Sequence, residues 1–258
     1  MAVGHYGYAV RMTRVVRLLA CLVAAIVLVG APVTPSSGST APRAVRLVTF
    51  NVFKDLDHAK WQADWNRLAK RADIVFLQEA VNVRVRTLAN RRAWKVRQAT
   101  GQYSDDVALA FRTSVVRTIS KFHVVRMLTH RSCRPDLVVG SRYLATARVV
   151  LTDGRALTVA VTHLPPGSCT NDTYQRMMSH VHSWARAHQG QLVLGADWNQ
   201  QVKNDPGNIS RNTRLRPHGV GIDGFQIKMS LTVTGSQALG TDADYHSDHV
   251  PVQVTIRR

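Results

Sequence analysis

Leu192-Val193-Leu194-Gly195-Ala196-Asp197-Trp198-Asn199 opens as a short apolar run and closes on an acid, an aromatic and an amide. Three aliphatic residues stopped by glycine read as a buried strand, because an amphipathic helix needs a longer stretch and a 3.6-residue period. The polar tail then sits at a strand end, where side chains are carried by a rigid element. Other segments have the same form. Thr49-Phe50-Asn51 falls within the β-rich run 45–52, Leu77-Gln78-Glu79 follows the run 74–77, and Val161-Thr162-His163 ends the run 157–162. Gly221-Ile222-Asp223 and Ser247-Asp248-His249-Val250-Pro251-Val252 complete the set, the last leading into a strand over 250–256.

Two more runs, 107–111 and 143–151, also read as strands. Between the first two, Trp61, Trp65, Leu68 and Ala69 recur at helical spacing over 59–70. Later, Asn171-Asp172-Thr173 can cap a helix in which Met177, Val181, Trp184 and His188 share a face. The pattern is α/β with more strands than one compact sheet needs. Polar strand ends in such a fold converge on one crevice. An Asn, a Glu, three Asp, another Asn and two His gathered there supply oxygen ligands suited to Mg²⁺ or Mn²⁺, together with an acid/base pair.

The chain has 258 residues, 45% hydrophobic and 19% charged, a composition that supports a full core and excludes a disordered polymer. Its formal net charge is +18, which points to polyanionic partners and says nothing of fold. Arg11, Arg14 and Arg17 precede an apolar stretch of about twelve residues, too short to span a membrane, for which ~18–20 are needed. Residues 1–42 are therefore expected to be a signal peptide and short linker, and 43–258 one domain. An uncleaved signal anchor is the alternative, Met12 is an alternative start, and Cys21 lies too early in the apolar stretch for a lipoprotein site. Export to an oxidising compartment would pair Cys133 with Cys169, the other possibility being two free thiols.

The ordered set TFN, LQE, VTH, LGADWN, GID and SDHVPV resembles the endonuclease/exonuclease/phosphatase superfamily, deoxyribonuclease-I-like, over about residues 45–256. The resemblance implies a four-layer α/β sandwich, two mixed sheets face to face with helices outside. It implies a phosphodiesterase that depends on Mg²⁺ or Mn²⁺. The leader adds the expectation that it is secreted, the positive charge that its substrate is nucleic acid, and it is expected to be a monomer. Carried over by residue, Glu79 would be the main metal-binding carboxylate, with Asn51 and Asp248 close to the ion. Asp197 would orient or deprotonate water, and Asn199 would help hold the phosphate or the nucleophile. His249 would hydrogen-bond a phosphate oxygen, oriented by Asp223, and His163 would be the second phosphate-contacting histidine. Phe53 stands where many members carry an acid, which puts a second metal in doubt. Tyr103, Asp105 and Asp106 are candidates for a mid-chain group of the family.

Alternatives come from the same residues. A phospholipid headgroup could be the substrate, with the loop Leu164-Pro165-Pro166-Gly167 meeting the bilayer. A non-catalytic polyanion-binding protein could keep the fold, although the intact set of acids and His249 argues against it. His180, His182 and His188 lack carboxylates at ligand spacing and read as surface or packing residues. The run Arg84, Arg86, Arg91, Arg92, Lys95, Arg97 reads as a solvated face, or as a phosphate-tracking patch with Trp94 for stacking.

Overall fold

In the computed structural model, residues 43–81, 85, 92–129 and 131–257 are described. The leader, and Arg84, Arg86 and Arg91 of the basic run, lie outside these. In chain order the elements are β1 (Val45–Asn51), α1 (His58–Arg71), β2 (Ile74–Gln78), β3 (Trp94–Gln98), β4 (Ala108–Arg112), β5 (Val116–Ile119), β6 (His123–Leu128), β7 (Arg131–Arg134), β8 (Leu137–Val139), β9 (Arg142–Leu151), β10 (Ala156–His163), α2 (Asn171–Ala187), β11 (Leu192–Asp197), β12 (Leu215–Val220), β13 (Asp223–Lys228), β14 (Thr232–Ala238) and β15 (Val252–Arg257). One sheet runs β14-β15-β1-β2-β4-β3 and the other β12-β13-β11-β10-β9-β5, with β6 also on β9 and β7-β8 a separate hairpin. Two pairs are parallel, β1 with β2 and β10 with β11, each joined through a helix.

The expected sandwich of two mixed sheets is thus observed. Phe76, Leu109, Val159, Phe225 and Val254 belong to the core between the sheets. Phe76 and Phe225 meet edge to face at 5.2 Å. They leave no room at the facing strand, where a Cβ on Gly195 would sit 2.9 Å from the Phe76 ring and 3.0 Å from Phe225. The glycine that stops the aliphatic run therefore lets the sheets approach.

The helices cover the outer faces. Asp57 caps α1 by accepting from Lys60 N at 2.9 Å, and Trp61, Trp65 and Leu68 are buried against the first sheet. Burial of each contributes about 1.5–3 kcal/mol, more than any helix propensity, so docking decides that α1 forms. Thr170, one residue ahead of the expected cap, accepts from Thr173 N to start α2, which buries Tyr174, Met177, Met178 and Val181 on the second sheet. His180, His182 and His188 meet backbone carbonyls of Met127, Arg211 and Trp184, in line with packing roles.

Cys133 and Cys169 form a disulfide with Cα atoms 4.8 Å apart, tying the β7-β8 hairpin to the segment before α2. Two expectations fail. Trp94 is unavailable for stacking on a ligand, since it is 4% exposed, packs on Trp65 at 5.2 Å and carries the Arg112 guanidinium at 4.7 Å. In the loop at Leu164, Leu164 and Pro165 are buried and so unavailable to a bilayer, Pro166 is half-buried and Gly167 alone is exposed. No helix among the described residues is long and apolar enough to cross a membrane.

Candidate active site

The parallel pairs set the site. Register places Asn51 beside Gln78 and His163 beside Asp197, while antiparallel β13 brings Asp223 opposite Asp197. Strand ends from both sheets thereby meet at one edge of the sandwich. The loop before β15 adds His249 and is anchored twice. Ser247 Oγ donates to Asn51 O at 2.7 Å and accepts from His249 N at 3.1 Å, and buried Asp64 on α1 takes His246 N at 3.0 Å and faces its Nδ1 at 2.8 Å. The resulting cleft has a volume of about 450 Å³.

His249 and Asp223 form the tightest contact in it, Nδ1 to Oδ2 at 2.6 Å. Its other nitrogen, Nε2, lies 3.8 Å from Asp197 Oδ2. Burial disfavours the imidazolium, but the hydrogen bond to Asp223 and the charges of Asp223, Asp197 and Asp248 outweigh it and raise His249 to about 9. Burial, with the Asp197 charge, raises Asp223 to about 6 against the opposing pull of His249. Between those values the two form a buried ion pair, with the protonated ring directed at Asp197.

A second histidine faces the same carboxylate. His163 Nε2 lies 3.5 Å from Asp197 Oδ2 and 4.0 Å from Glu79 Oε1, while its Nδ1 is 3.1 Å from Asp106 Oδ2. Arg142 Nη1 approaches that Asp106 oxygen at 3.4 Å. Burial pushes the Asp106 carboxyl up, yet His163, Arg142 and Lys54 together hold it below the ordinary value.

Asn51 Nδ2 donates to Asp197 Oδ2 at 3.0 Å and to Glu79 Oε1 at 3.3 Å, and its Oδ1 accepts from Phe53 N at 3.1 Å. The amide therefore turns its donor toward the two carboxylates and steers both Glu79 and Asp197. Glu79 is itself held in a left-handed backbone conformation, φ 55°, and Lys54 N donates to its Oε2 at 3.0 Å. Such a conformation is strained for a non-glycine residue and persists where surrounding structure enforces it. Carboxylate oxygens of Glu79 and Asp197, within reach of one amide and one imidazole, fit a hard divalent cation. Asp197, Asp223 and His249 also offer ligand atoms within 4.8 Å of one another, but the Asp223–His249 hydrogen bond already engages Nδ1.

Asn51, Glu79, His163, Asp197, Asn199 and His249 all line the cleft, with Asp223 behind His249. Asn199 donates from Nδ2 to Leu164 O at 3.0 Å and from its backbone to Asp197 Oδ1 at 2.8 Å, fixing that carboxylate. Asp248 is exposed and outside the lining, and it acts on His249 through charge. Of the mid-chain candidates Asp106 and Tyr103 line the cleft and Asp105 does not. Sequence reasoning missed Lys54 and Arg142. Lys54 follows the TFN strand end by three residues, a signal that was available, whereas Arg142 starts β9 with no motif around it.

A cleft of paired histidine and carboxylate groups at the joint edge of two facing mixed sheets defines the class: the chain has the fold of the endonuclease/exonuclease/phosphatase family. An endonuclease/exonuclease/phosphatase family protein of Bacteroides thetaiotaomicron superimposes with a TM-score of 0.63 at 13% identity, covering 84% of this chain and 98% of that one. D. rerio TDP2, complexed with a single-strand DNA product, gives 0.62 at 16% identity, covering 83% and 99%. Among curated proteins the chain is similar to UPF0294 proteins. It is 27% identical to that of Photorhabdus laumondii over 180 residues, 68% of this chain but 65% of the relative, and 26% identical to that of Klebsiella pneumoniae over 86% of each. No family model matches.

Proposed function

We propose that the chain is a secreted, divalent-metal-dependent phosphodiesterase that hydrolyses nucleic acid. The observation that carries this reading is the Asp223–His249–Asp197 arrangement, a 2.6 Å hydrogen-bonded pair whose free Nε2 stands 3.8 Å from a second carboxylate. A phosphodiester is anionic and repels hydroxide, so hydrolysis needs a positioned water and cationic groups where charge grows. His249, protonated at neutral pH, donates from Nε2 to a phosphoryl oxygen. Asp197, held by Asn51 and the backbone of Asn199, orients water and accepts its proton as the water oxygen bonds to phosphorus and the ester P–O bond breaks, the leaving oxygen taking up a proton from solvent. His163 contacts the phosphate from the other side, oriented through Nδ1 by Asp106 and Arg142. Glu79, with Asn51 beside it, would be the principal holder of Mg²⁺ or Mn²⁺, which would supply charge neutralisation at the phosphate. The strongly basic chain and the single-strand DNA product of one structural neighbour support nucleic acid as substrate.

One observation favours a lipid diester instead: Val81, Leu137 and Val138 give the cleft an aliphatic wall, with Val138 58% exposed. Incubation with plasmid DNA, RNA and sphingomyelin liposomes, in Mg²⁺ and then in EDTA, tests the choice. Nucleic acid is expected to be cut in Mg²⁺ and spared in EDTA. Headgroup release with DNA and RNA intact would refute the nuclease reading, and failure to hydrolyse any phosphoester would leave a polyanion-binding protein. The leader and the disulfide support export, which is tested by finding the protein in culture medium with a new N-terminus near residue 43.

A further inference from the structure

A second cavity, of about 390 Å³, lies between the last turns of α1 and residues 237–245, the end of β14 and the following loop. It shares no lining residue with the catalytic cleft. Arg67, Lys70 and Arg71 line it, and their i, i+3, i+4 spacing sets them on one helix face. The facing wall holds one acid, Asp244, whose Oδ2 already accepts from Thr241 N at 2.8 Å and Thr241 Oγ1 at 3.1 Å. The acid nearest Arg67 is Asp64, 4.0 Å away and occupied by His246. Among the described residues neither Lys70 nor Arg71 forms an ion pair through its side chain.

The C-terminal end of a helix ordinarily repels anions through its free carbonyls. Here those carbonyls are quenched. Leu68 O accepts from Ala72 N, Ala69 O and Ala72 O from Arg112, Lys70 O from Arg46, and Arg71 O from Gln253. The three cations therefore outnumber the one carboxylate in the cavity, Asp244, whose charge acts on Arg67 and leaves Lys70 and Arg71 as the excess. We propose that this cavity is a phosphate-binding site distinct from the catalytic cleft. Guanidinium and ammonium donors converging from one side match the oxygens of a phosphate group. That phosphate is either one on a nucleic-acid strand running past the molecule or one of a free oligophosphate. The chain segment that closes the cavity continues through Tyr245 to Ser247 and His249, so the bound group would lie beside the loop that presents the catalytic histidine.

The site can be tested without turnover, so its failure would leave the catalytic reading untouched. Pyrophosphate titrated into the ¹⁵N-labelled full chain is expected to shift the amide resonances of Gly240, Thr241 and Tyr245 saturably. In Lys70→Glu/Arg71→Glu the midpoint should rise at least tenfold and in Lys70→Gln/Arg71→Gln several-fold, while Lys203→Glu, a reversal elsewhere, should move it less than twofold. Shifts that do not saturate, or equal effects of the cavity and Lys203 variants, would overturn the proposal. The neutral pair carries the test if the double reversal fails to fold. A single-stranded oligonucleotide that displaces pyrophosphate identifies a strand phosphate as the natural occupant, and lack of displacement identifies a free oligophosphate.

Discussion

His249 keeps its proton at neutral pH because Asp223, Asp197 and Asp248 surround it, and Asp223 stays ionised there only because the imidazolium answers its burial. The active form, ring protonated and carboxylate ionised, exists between the two values. Lowering the pH through about 6 protonates Asp223 and loosens its hold on the ring, while raising it through about 9 removes the proton that His249 donates. A bell-shaped kcat/KM profile with limbs near those values is expected on a small phosphodiester. In His249→Ala the upper limb should vanish with roughly a 10²–10⁴-fold loss of rate, the usual contribution of a positioned proton donor. The circular dichroism spectrum and the disulfide should be unchanged. Near wild-type rates, or an upper limb that persists, would remove His249 from the role given to it.

At the scale of elements, Gly195 illustrates how motif and core coincide. The strand that carries Asp197 into the site needs a glycine two residues earlier because Phe76 and Phe225 fill the space over it. Gly195→Ala should cost about 1–3 kcal/mol, as overpacking of a filled core does. Urea denaturation should show this as a lower midpoint with unchanged slope, and a wild-type midpoint would mean that the sheets separate easily. The same level shows what could be read in advance. Buried central strands such as β1, β2 and β11 announce themselves as aliphatic runs with polar ends. β14, Thr-Val-Thr-Gly-Ser-Gln-Ala, does not, since an edge strand with an exposed face needs no apolar pattern. β12 contains Pro217, tolerated because the strand is also at an edge. Arg142 was invisible for a related reason: antiparallel pairing of β9 with β10 puts it near His163, and pairing is a long-range fact that no local spacing encodes. Trp94 misled because its basic neighbours suggested a surface, whereas in β3 alternate residues turn inward and the indole joins the core beneath α1.

Across the whole molecule the charge is uneven in what it does. Residues 43–258 carry 31 Lys and Arg against 16 acids, a net +15. Many of the acids are committed, with Asp73 buried beside Arg46 and Arg112, Asp64 on His246, and Asp106, Asp197 and Asp223 in the cleft. Cationic groups such as Lys54, Arg67, Lys70 and Arg71 stay exposed or line cavities, so the outward field is more positive than the inward one. A strand that neutralises cations releases its own condensed counterions, and binding then weakens with salt by about 0.7 powers per phosphate contact for single strands. With about four contacts, raising NaCl from roughly 50 to 200 mM should lift KM for single-stranded DNA about fifty-fold. A small diester that reaches only the catalytic cleft has no counterion sheath to lose, and its KM should change by less than about threefold over the same range. Parallel salt dependence for both substrates would mean that the positive surface plays no part in holding the polymer, and the charge would then have to be explained by something other than substrate capture.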